Sequence, residues 1–387
     1  MTGPEAGKRG RPPSFAEVRI GATHVALLVD GAQAFPAMLR AIASARHAIL
    51  IETYILRDDG TGWRFARALA ERARSGVAVH LLYDAWGSAV SEDFLDFLRS
   101  AGVRTLAYRP LRLGGRLGEF VARHRRRNHR KVLVVDGRVA FTGGLNLADD
   151  YAAPEDGGRG WRDTHVRLEG PVAKELVHPF VRIWQRAGGE GPEVGRWGSI
   201  VRRPDPRVRV IGSLGRKGRR EIRGEYLRAI EESKRRVWIT SAYFLPPVRI
   251  LRALLDAARR GVDVKLIVGG PTTDVKPVLL ASRTLYGPLL KAGVEIHEFQ
   301  GRVLHAKTAV VDGRWATVGS TNLDHLSLLV NLEVNAVFDD ARVATALEDL
   351  FLEDLRATHL VTPAEWKRRL PHERFLAWIA YLFRGWL

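Results

Sequence analysis

The chain writes one unusual phrase twice. "HRKVLVVDGRVAFTGGLN" begins at His129, and "HAKTAVVDGRWATVGSTN" begins 176 residues later at His305. Six positions match at identical offsets: His129/His305, Lys131/Lys307, Asp136/Asp312, Gly137/Gly313, Gly143/Gly319 and Asn146/Asn322. The likeness extends upstream, where "LRAIASARHAILIETYIL" from Leu39 and "LRAIEESKRRVWITSAYF" from Leu227 each run a helix-period segment into an apolar strand. Both copies continue with an amphipathic helix that closes on Gly-Val before a β-branched strand, "FARALAERARSGVAVHLLYD" and "ILRALLDAARRGVDVKLIVGG". A third such unit, "FLDFLRSAGVRTLAY" and "YGPLLKAGVEIHEF", leads into each motif. Strands alternating with helices, twice over, predict an α/β fold of two duplicated halves. Each half is a mixed sheet flanked by helices, and the two pack about a pseudo-twofold around one shared active site.

The Gly- and Pro-rich stretch from Ala187 to Arg207 lies between the copies and sets the boundary. The expected division is a basic disordered tail (1–18), a first half (19–190), a linker (191–207), a second half (208–358) and a basic, aromatic C-terminal tail (359–387). A chain of 387 residues comfortably holds two such units. Its 61 basic against 43 acidic residues, a formal charge of +18, call for an anionic partner, nucleic acid or acidic phospholipid. No apolar run reaches the length of a membrane span. The absence of cysteine removes thiolate nucleophiles, disulfides and zinc-cysteine sites. The opening "MTGPEAGKRGRPPSF" has no apolar core, so it reads as a basic tail rather than a signal peptide.

In a strand the side-chain period is two, so His129 and Lys131 share a face, as do His305 and Lys307. Asp136-Gly137 and Asp312-Gly313 each sit between apolar runs and predict hairpin turns. The return strands end in "GGLN" and "GSTN", where Gly144 and Ser320 bring backbone N–H groups to an anion and Asn146 and Asn322 offer side-chain amides. Each half therefore supplies an imidazole, a cation and neutral donors. That set suits a phosphate diester: lysine and asparagine stabilise the non-bridging oxygens, and histidine attacks phosphorus or protonates the leaving oxygen. In-line displacement needs a nucleophile on one side of phosphorus and an acid on the other, which two facing copies provide. Asp136 and Asp312 join the candidate catalytic set, with turn chemistry as the competing explanation for them.

Paired His-x-Lys-x₄-Asp motifs, each followed by Gly-Gly/Ser-x-Asn, resemble the phospholipase D superfamily. Phrases such as "IETYILRDDGTG", "WRDTHVRLEGPV" and "GSTNLDHLSLLVNLE" are most similar to bacterial cardiolipin synthases of the type without transmembrane helices. The resemblance covers about Leu27 to Trp366, departing at Leu326, where many relatives carry arginine. It implies phosphatidyl transfer between two phosphatidylglycerols through a phosphatidyl-histidine, with His129 the nucleophile and His305 the acid and later the base. The symmetry of the motifs gives no physical reason to choose between the histidines. The resemblance also implies that Asp163 and Glu333, some thirty residues past each histidine, orient the imidazoles. It implies no metal and no organic cofactor, and a peripheral place on the cytoplasmic face of the bacterial membrane.

Two further segments bear on the partner. Arg109 to Arg130 forms a dense cationic run into the first motif, read as a collar for anionic headgroups. Phe375 to Leu387 is too short to span and gathers Trp378, Tyr381 and Trp386 behind a basic flank. That stretch fits either an interfacial helix or a helix docked on the protein's own core. Anionic phospholipid, with phosphatidylglycerol foremost, is the expected partner and nucleic acid is not expected. A water acceptor, giving a phospholipase D, or another alcohol, giving a different transphosphatidylase, remains an alternative, as more distantly does a nucleic-acid phosphodiesterase.

Overall fold

Segments such as Ala48–Thr53 (AILIET) and Asp263–Val268 (DVKLIV) are too apolar to face water on either side, and each becomes an interior strand. The computed structural model describes residues 15–110, 126–192, 205–213 and 215–385. The first half contributes β1 (Val18–Ile20), β2 (Thr23–Val29), β3 (Ala48–Thr53), β4 (Ala78–Asp84), β5 (Arg104–Tyr108), β6 (Val132–Val135), β7 (Val139–Gly143) and β8 (Thr164–Glu169). The second contributes β9 (Val208–Gly212), β10 (Arg236–Ser241), β11 (Asp263–Val268), β12 (Glu295–Phe299), β13 (Lys307–Val311), β14 (Trp315–Gly319), β15 (Val334–Asp339) and β16 (Thr358–Leu360).

The sheet orders reveal the duplication. The first sheet runs β1-β2-β8-β7-β6-β3-β4-β5, and the second, read from its other end, β9-β15-β14-β13-β10-β11-β12-β16. Seven strands correspond one to one, and each sheet adds a single strand at an opposite edge. In both, the first three crossover-linked strands are parallel and the motif hairpin is antiparallel, so both sheets are mixed. The two halves also trade backbone bonds symmetrically. His129 N–H donates to Leu332 O at 2.9 Å, and His305 N–H donates to Arg162 O at 2.7 Å. Each motif thus pairs with the segment that precedes the partner half's candidate carboxylate, as a pseudo-twofold requires.

The outer face of each sheet packs on its own helices, Phe35, Phe65, Phe94 and Phe141 in one half and Ile250, Leu254, Tyr286 and Leu289 in the other. The inner cores belong to both halves. Val166 and Leu168 share a cluster with Val318 and Ala336, while Val132 and Val134 share one with Leu332 and Val334. Breaking the halves apart would expose these side chains, so the interface is continuous core.

Two expected boundaries move. Phe15 already packs on the shared core and β1 starts at Val18, so the ordered first half begins ahead of residue 19. The C-terminal segment begins inside the fold, because β16 pairs with β12 and extends the second sheet to Leu360. Beyond it the helix Pro371–Leu382 packs on the helix Lys276–Ser282, with Ala377 buried and Ala380 and Tyr381 against the core. Its other face leaves Phe375, Leu376, Trp378, Leu382 and Phe383 more than half or about half exposed. The reading of a helix docked on the protein's own core therefore holds for one face, and the other face is exposed. The expected collar lies mostly outside the described residues, as do most of the linker and Trp386.

Candidate active site

Parallel β3, β4 and β5 end together, and so do β10, β11 and β12; a ligand crevice forms at such carboxyl ends. The motif strands run antiparallel to β3 and β10, so their first residues, His129–Lys131 and His305–Lys307, arrive at that same edge. All four side chains are buried.

The carboxylates cross over. Glu333, from the second half, places its two oxygens 3.0 and 3.1 Å from Nδ1 of His129 in the first. Asp163, from the first half, places Oδ2 2.7 Å from Nδ1 of His305 in the second. The expectation that each carboxylate serves the histidine upstream of it in its own half is therefore corrected. The symmetric backbone pairing described above brings each carboxylate to the opposite motif. With Nδ1–H donated to a carboxylate, each imidazole presents the Nε2 lone pair to the cleft.

Position 144 and its equivalent 320 serve these carboxylates, not a phosphate. A Cβ at Gly144 would lie 2.1 Å from Asp163 Oδ1, so glycine makes room for that carboxylate. Ser320 Oγ instead donates to Glu333 Oε2. The backbone N–H groups of both residues are spent on Thr164 O and Val334 O, so neither binds an anion as expected.

Asp136 and Asp312 leave the catalytic set. They sit at the far end of the motif strands, about 16 Å from the lysines at 3.3 Å per residue. Each occupies positive φ, +52° and +54°, ahead of a positive-φ glycine, the geometry of a tight hairpin. Asp136 accepts from the N–H groups of Arg46, His47 and Ala48, and Asp312 from those of Lys234, Arg235 and Arg236. They pin the loop that feeds β3 or β10. The turn explanation wins for both.

Lys131 Nζ donates to His129 O at 2.7 Å, and Lys307 Nζ donates to His305 O. Burial drives the Lys131 pKa well below the usual lysine range, and lowers Lys307 to about 8. Burial likewise pushes both histidines down, His305 further because both lysines face it, so each is neutral at neutral pH. Asp163 is raised to about 6 by burial, which leaves it ionised at neutral pH. Such cationic crowding in a buried cleft is relieved by an anion. Asn146 is partly committed: its amide donates to Tyr151 Oη at 2.6 Å and its oxygen accepts from Ile55 N–H at 3.0 Å. Asn322 is buried, and its Oδ1 has no hydrogen-bond partner among the described residues.

Several supporting groups went unread in the sequence. Arg130, between His129 and Lys131, points to the opposite face and meets Glu52 through Nη2 at 2.6 Å and Nε at 3.1 Å. Arg162 makes a two-pronged pair with Asp354, both bonds 2.7 Å, and Arg302 binds Asp30 at 2.6 Å beside it. Aromatic rings wall the imidazoles: Tyr54 lies 4.9 Å from His129, and Tyr151 5.2 Å from His305, centroid to centroid. Comparing the halves letter by letter would have found the first pair. Arg130 and Glu52 stand where the second half has Ala306 and Thr240, so neither partner of the ion pair has an equivalent there.

A family model described as "Cardiolipin synthase, PLD-like domain" matches residues 38–184 and 226–355, most of the chain and both motifs. The chain belongs to this family. Cardiolipin synthase B of Salmonella typhi is 39% identical over 334 residues, which cover 84% of this chain and 78% of that protein. A cardiolipin synthase of Geobacillus thermodenitrificans is 36% identical over 370 residues, 93% of this chain and 72% of that one. In architecture the chain is similar to a phosphatidylserine synthase of Haemophilus influenzae, with a TM-score of 0.74 over 97% of both chains at 12% identity. That likeness is one of fold, and it extends the duplicated sheets of the family across the whole described molecule.

Proposed function

We infer that the chain is a phosphatidyltransferase that joins two phosphatidylglycerols into cardiolipin and glycerol. The observation that carries this reading is the pair of buried imidazoles, each held at Nδ1 by the other half's carboxylate, with the charges of Lys131 and Lys307 acting on both. His129 Nε2 attacks phosphorus as the bond to the headgroup glycerol oxygen breaks, and His305, neutral in the empty cleft but taking up a proton from solvent once the negative diester lies beside it, gives that proton to the leaving oxygen. Glycerol leaves. A hydroxyl of the second phosphatidylglycerol then loses its proton to His305 as its oxygen attacks phosphorus and the P–N bond breaks. Lys131 and Lys307 stabilise the charge on the non-bridging oxygens in both steps. The assignment of nucleophile to His129 follows the family pattern, because the half-sites are alike around Nδ1.

The second part of the reading is peripheral attachment to the cytoplasmic face of the membrane. Among the described residues no helix is long and apolar enough to cross a bilayer. The exposed face of the helix Pro371–Leu382 joins Phe375, Leu376, Trp378 and Leu382 to a flank containing Lys367, Arg368 and Arg374. Aromatic and basic groups together suit the interface of an acidic bilayer.

The deciding experiment supplies purified protein with phosphatidylglycerol in detergent micelles and identifies products by mass. Cardiolipin with glycerol supports the reading, whereas phosphatidic acid alone would make the protein a hydrolase. Acid-quenched protein should carry a phosphatidyl adduct on His129, and an adduct on His305 would reverse the two roles.

A further inference from the structure

The two halves agree around Nδ1 but diverge at the rim. Thr53 Oγ1 bonds Ile55 O, and the equivalent Ser241 Oγ bonds Tyr243 O, so Tyr243 occupies the position of Ile55. On the His129 side the rim carries Asp84, buried and bonded to Asn128 N–H at 2.8 Å, with Arg127 stacked 5.3 Å over the exposed Trp86. On the His305 side Val303 stands two residues before the histidine, where the first half has Arg127. Gly269 stands in register with Asp84, and the loop that follows carries Asp274. Tyr243 Oη donates to Asp274 Oδ2, and its ring lies 6.5 Å from that of His305. Asp274 is exposed, and its charge acts on His305, Lys307 and Tyr151.

The His129 rim thus adds Arg127 and Trp86 to Tyr54 and Asp84, whereas the His305 rim, walled by Tyr151 and Trp161, adds Tyr243 bonded to the exposed Asp274. This asymmetry has a chemical counterpart in an in-line transfer. The phosphatidyl group stays on the nucleophile's side, while the leaving alcohol and the incoming alcohol use the acid's side in turn. Asp274 bonds Tyr243 through one oxygen and Thr273 Oγ1, at 3.4 Å, through the other. Carboxylate lone pairs remain after these bonds, as does one on the phenol oxygen. A hydroxyl attacking phosphorus delivers its proton to His305. A neighbouring hydroxyl on the same alcohol has its own proton to donate.

We propose that Tyr243 and Asp274 form an acceptor subsite that reads the second hydroxyl of a vicinal diol, selecting a glycerol headgroup over water and simple alcohols. The inference rests on the proposed phosphatidyl transfer with His305 as acid and base. An alcohol whose second hydroxyl donates to this carboxylate gains a charge-assisted hydrogen bond that water or a simple alcohol attacking from the same place cannot make.

The test is a competition. Full-length protein in phosphatidylglycerol micelles is given equimolar isotope-labelled glycerol and ethanol, and labelled phosphatidylglycerol and phosphatidylethanol are measured by mass. The wild-type protein should favour glycerol. Asp274→Asn and Tyr243→Phe should each lower the glycerol-to-ethanol ratio by about tenfold to a hundredfold, the range expected for losing a hydrogen bond to a charged group. The loss should appear in KM for glycerol more than in kcat. An unchanged ratio in both variants, with the wild type transferring to alcohols, overturns the subsite alone. A wild type that forms only phosphatidic acid overturns this subsite and the transferase reading together.

Discussion

Crossed carboxylates make a sharp prediction, because a lesion in one half should appear at the histidine of the other. Consider Glu333→Gln. Ser320 Oγ donates to Oε2, so the glutamine will keep its carbonyl oxygen there and turn its NH₂ toward Nδ1 of His129. The carbonyl oxygen at the Oε2 position, 3.1 Å from Nδ1, and the NH₂ at the Oε1 position, 3.0 Å from it, then compete for Nδ1, and wherever the NH₂ donates, the imidazole proton sits on Nε2, removing the lone pair that must attack phosphorus. Losing a charge-assisted hydrogen bond at this buried site costs about 1.5–3 kcal/mol, roughly tenfold to 150-fold in rate. The wrong tautomer raises the loss toward about 10⁴-fold, the size seen when an orienting carboxylate becomes an amide elsewhere. The discriminating assay uses a phosphatidyl ester of p-nitrophenol, whose leaving group needs no general acid. Asp163→Asn, which damages His305, should retain the burst of p-nitrophenol, whereas Glu333→Gln should lose it. Adding Ser320→Ala to Glu333→Gln frees the amide to rotate and should recover part of the burst. If Asp163→Asn loses the burst and Glu333→Gln keeps it, the assignment of carboxylates to chemical roles is wrong.

Three further outcomes follow from the same geometry. kcat/KM for phosphatidylglycerol should be bell-shaped in pH. It falls as pH drops through about 6, where Asp163 with its raised pKa gains a proton, and as pH climbs through about 8, where Lys307 with its lowered pKa loses its charge. A pH profile of Asp163→Asn that keeps the acid limb would assign that limb to another group. Asp136→Ala should lower stability by about 2–3 kcal/mol, since three N–H groups lose their acceptor at a partly exposed turn, yet change kcat less than threefold; thermal melts and turnover check it. Replacing Phe375, Trp378 and Phe383 together by serine should weaken sedimentation with acidic vesicles at low and high salt while leaving micellar turnover intact, because Ala377 and Tyr381 still dock the helix.

How much of this was legible in the letters depends on the range of each interaction. The hairpins, the strand that puts His and Lys on one face, and the helix ends are local, and local patterns carried them. The repeat carried the rest of the architecture, since a duplicated order of strands leaves few ways to build two sheets. What failed was assignment across long separations. Asp163 and His305 are 142 residues apart and Glu333 and His129 are 204 apart, and spacing alone favoured the nearer, wrong histidine. Asp136 misled for a different reason. It belongs to the motif by spacing, but spacing cannot separate a residue that touches substrate from one that shapes the strand.

Crossing the carboxylates also explains why two copies occur in one chain. Within a half, the histidine lacks its orienting acid and the acid lacks its histidine, so neither half holds a complete imidazole–carboxylate pair. Val132, Val134, Leu332 and Val334 then bury the junction, and the paired backbone bonds of His129 with Leu332 and His305 with Arg162 fix the register between halves. The same bonds that join the halves thus set the geometry of the cleft. With that geometry shared, the halves were free to differ where the chemistry differs. Arg127 and Trp86 stand on the His129 side and Tyr243 and Asp274 on the His305 side, so the rims differ although the imidazole–carboxylate frame is symmetric.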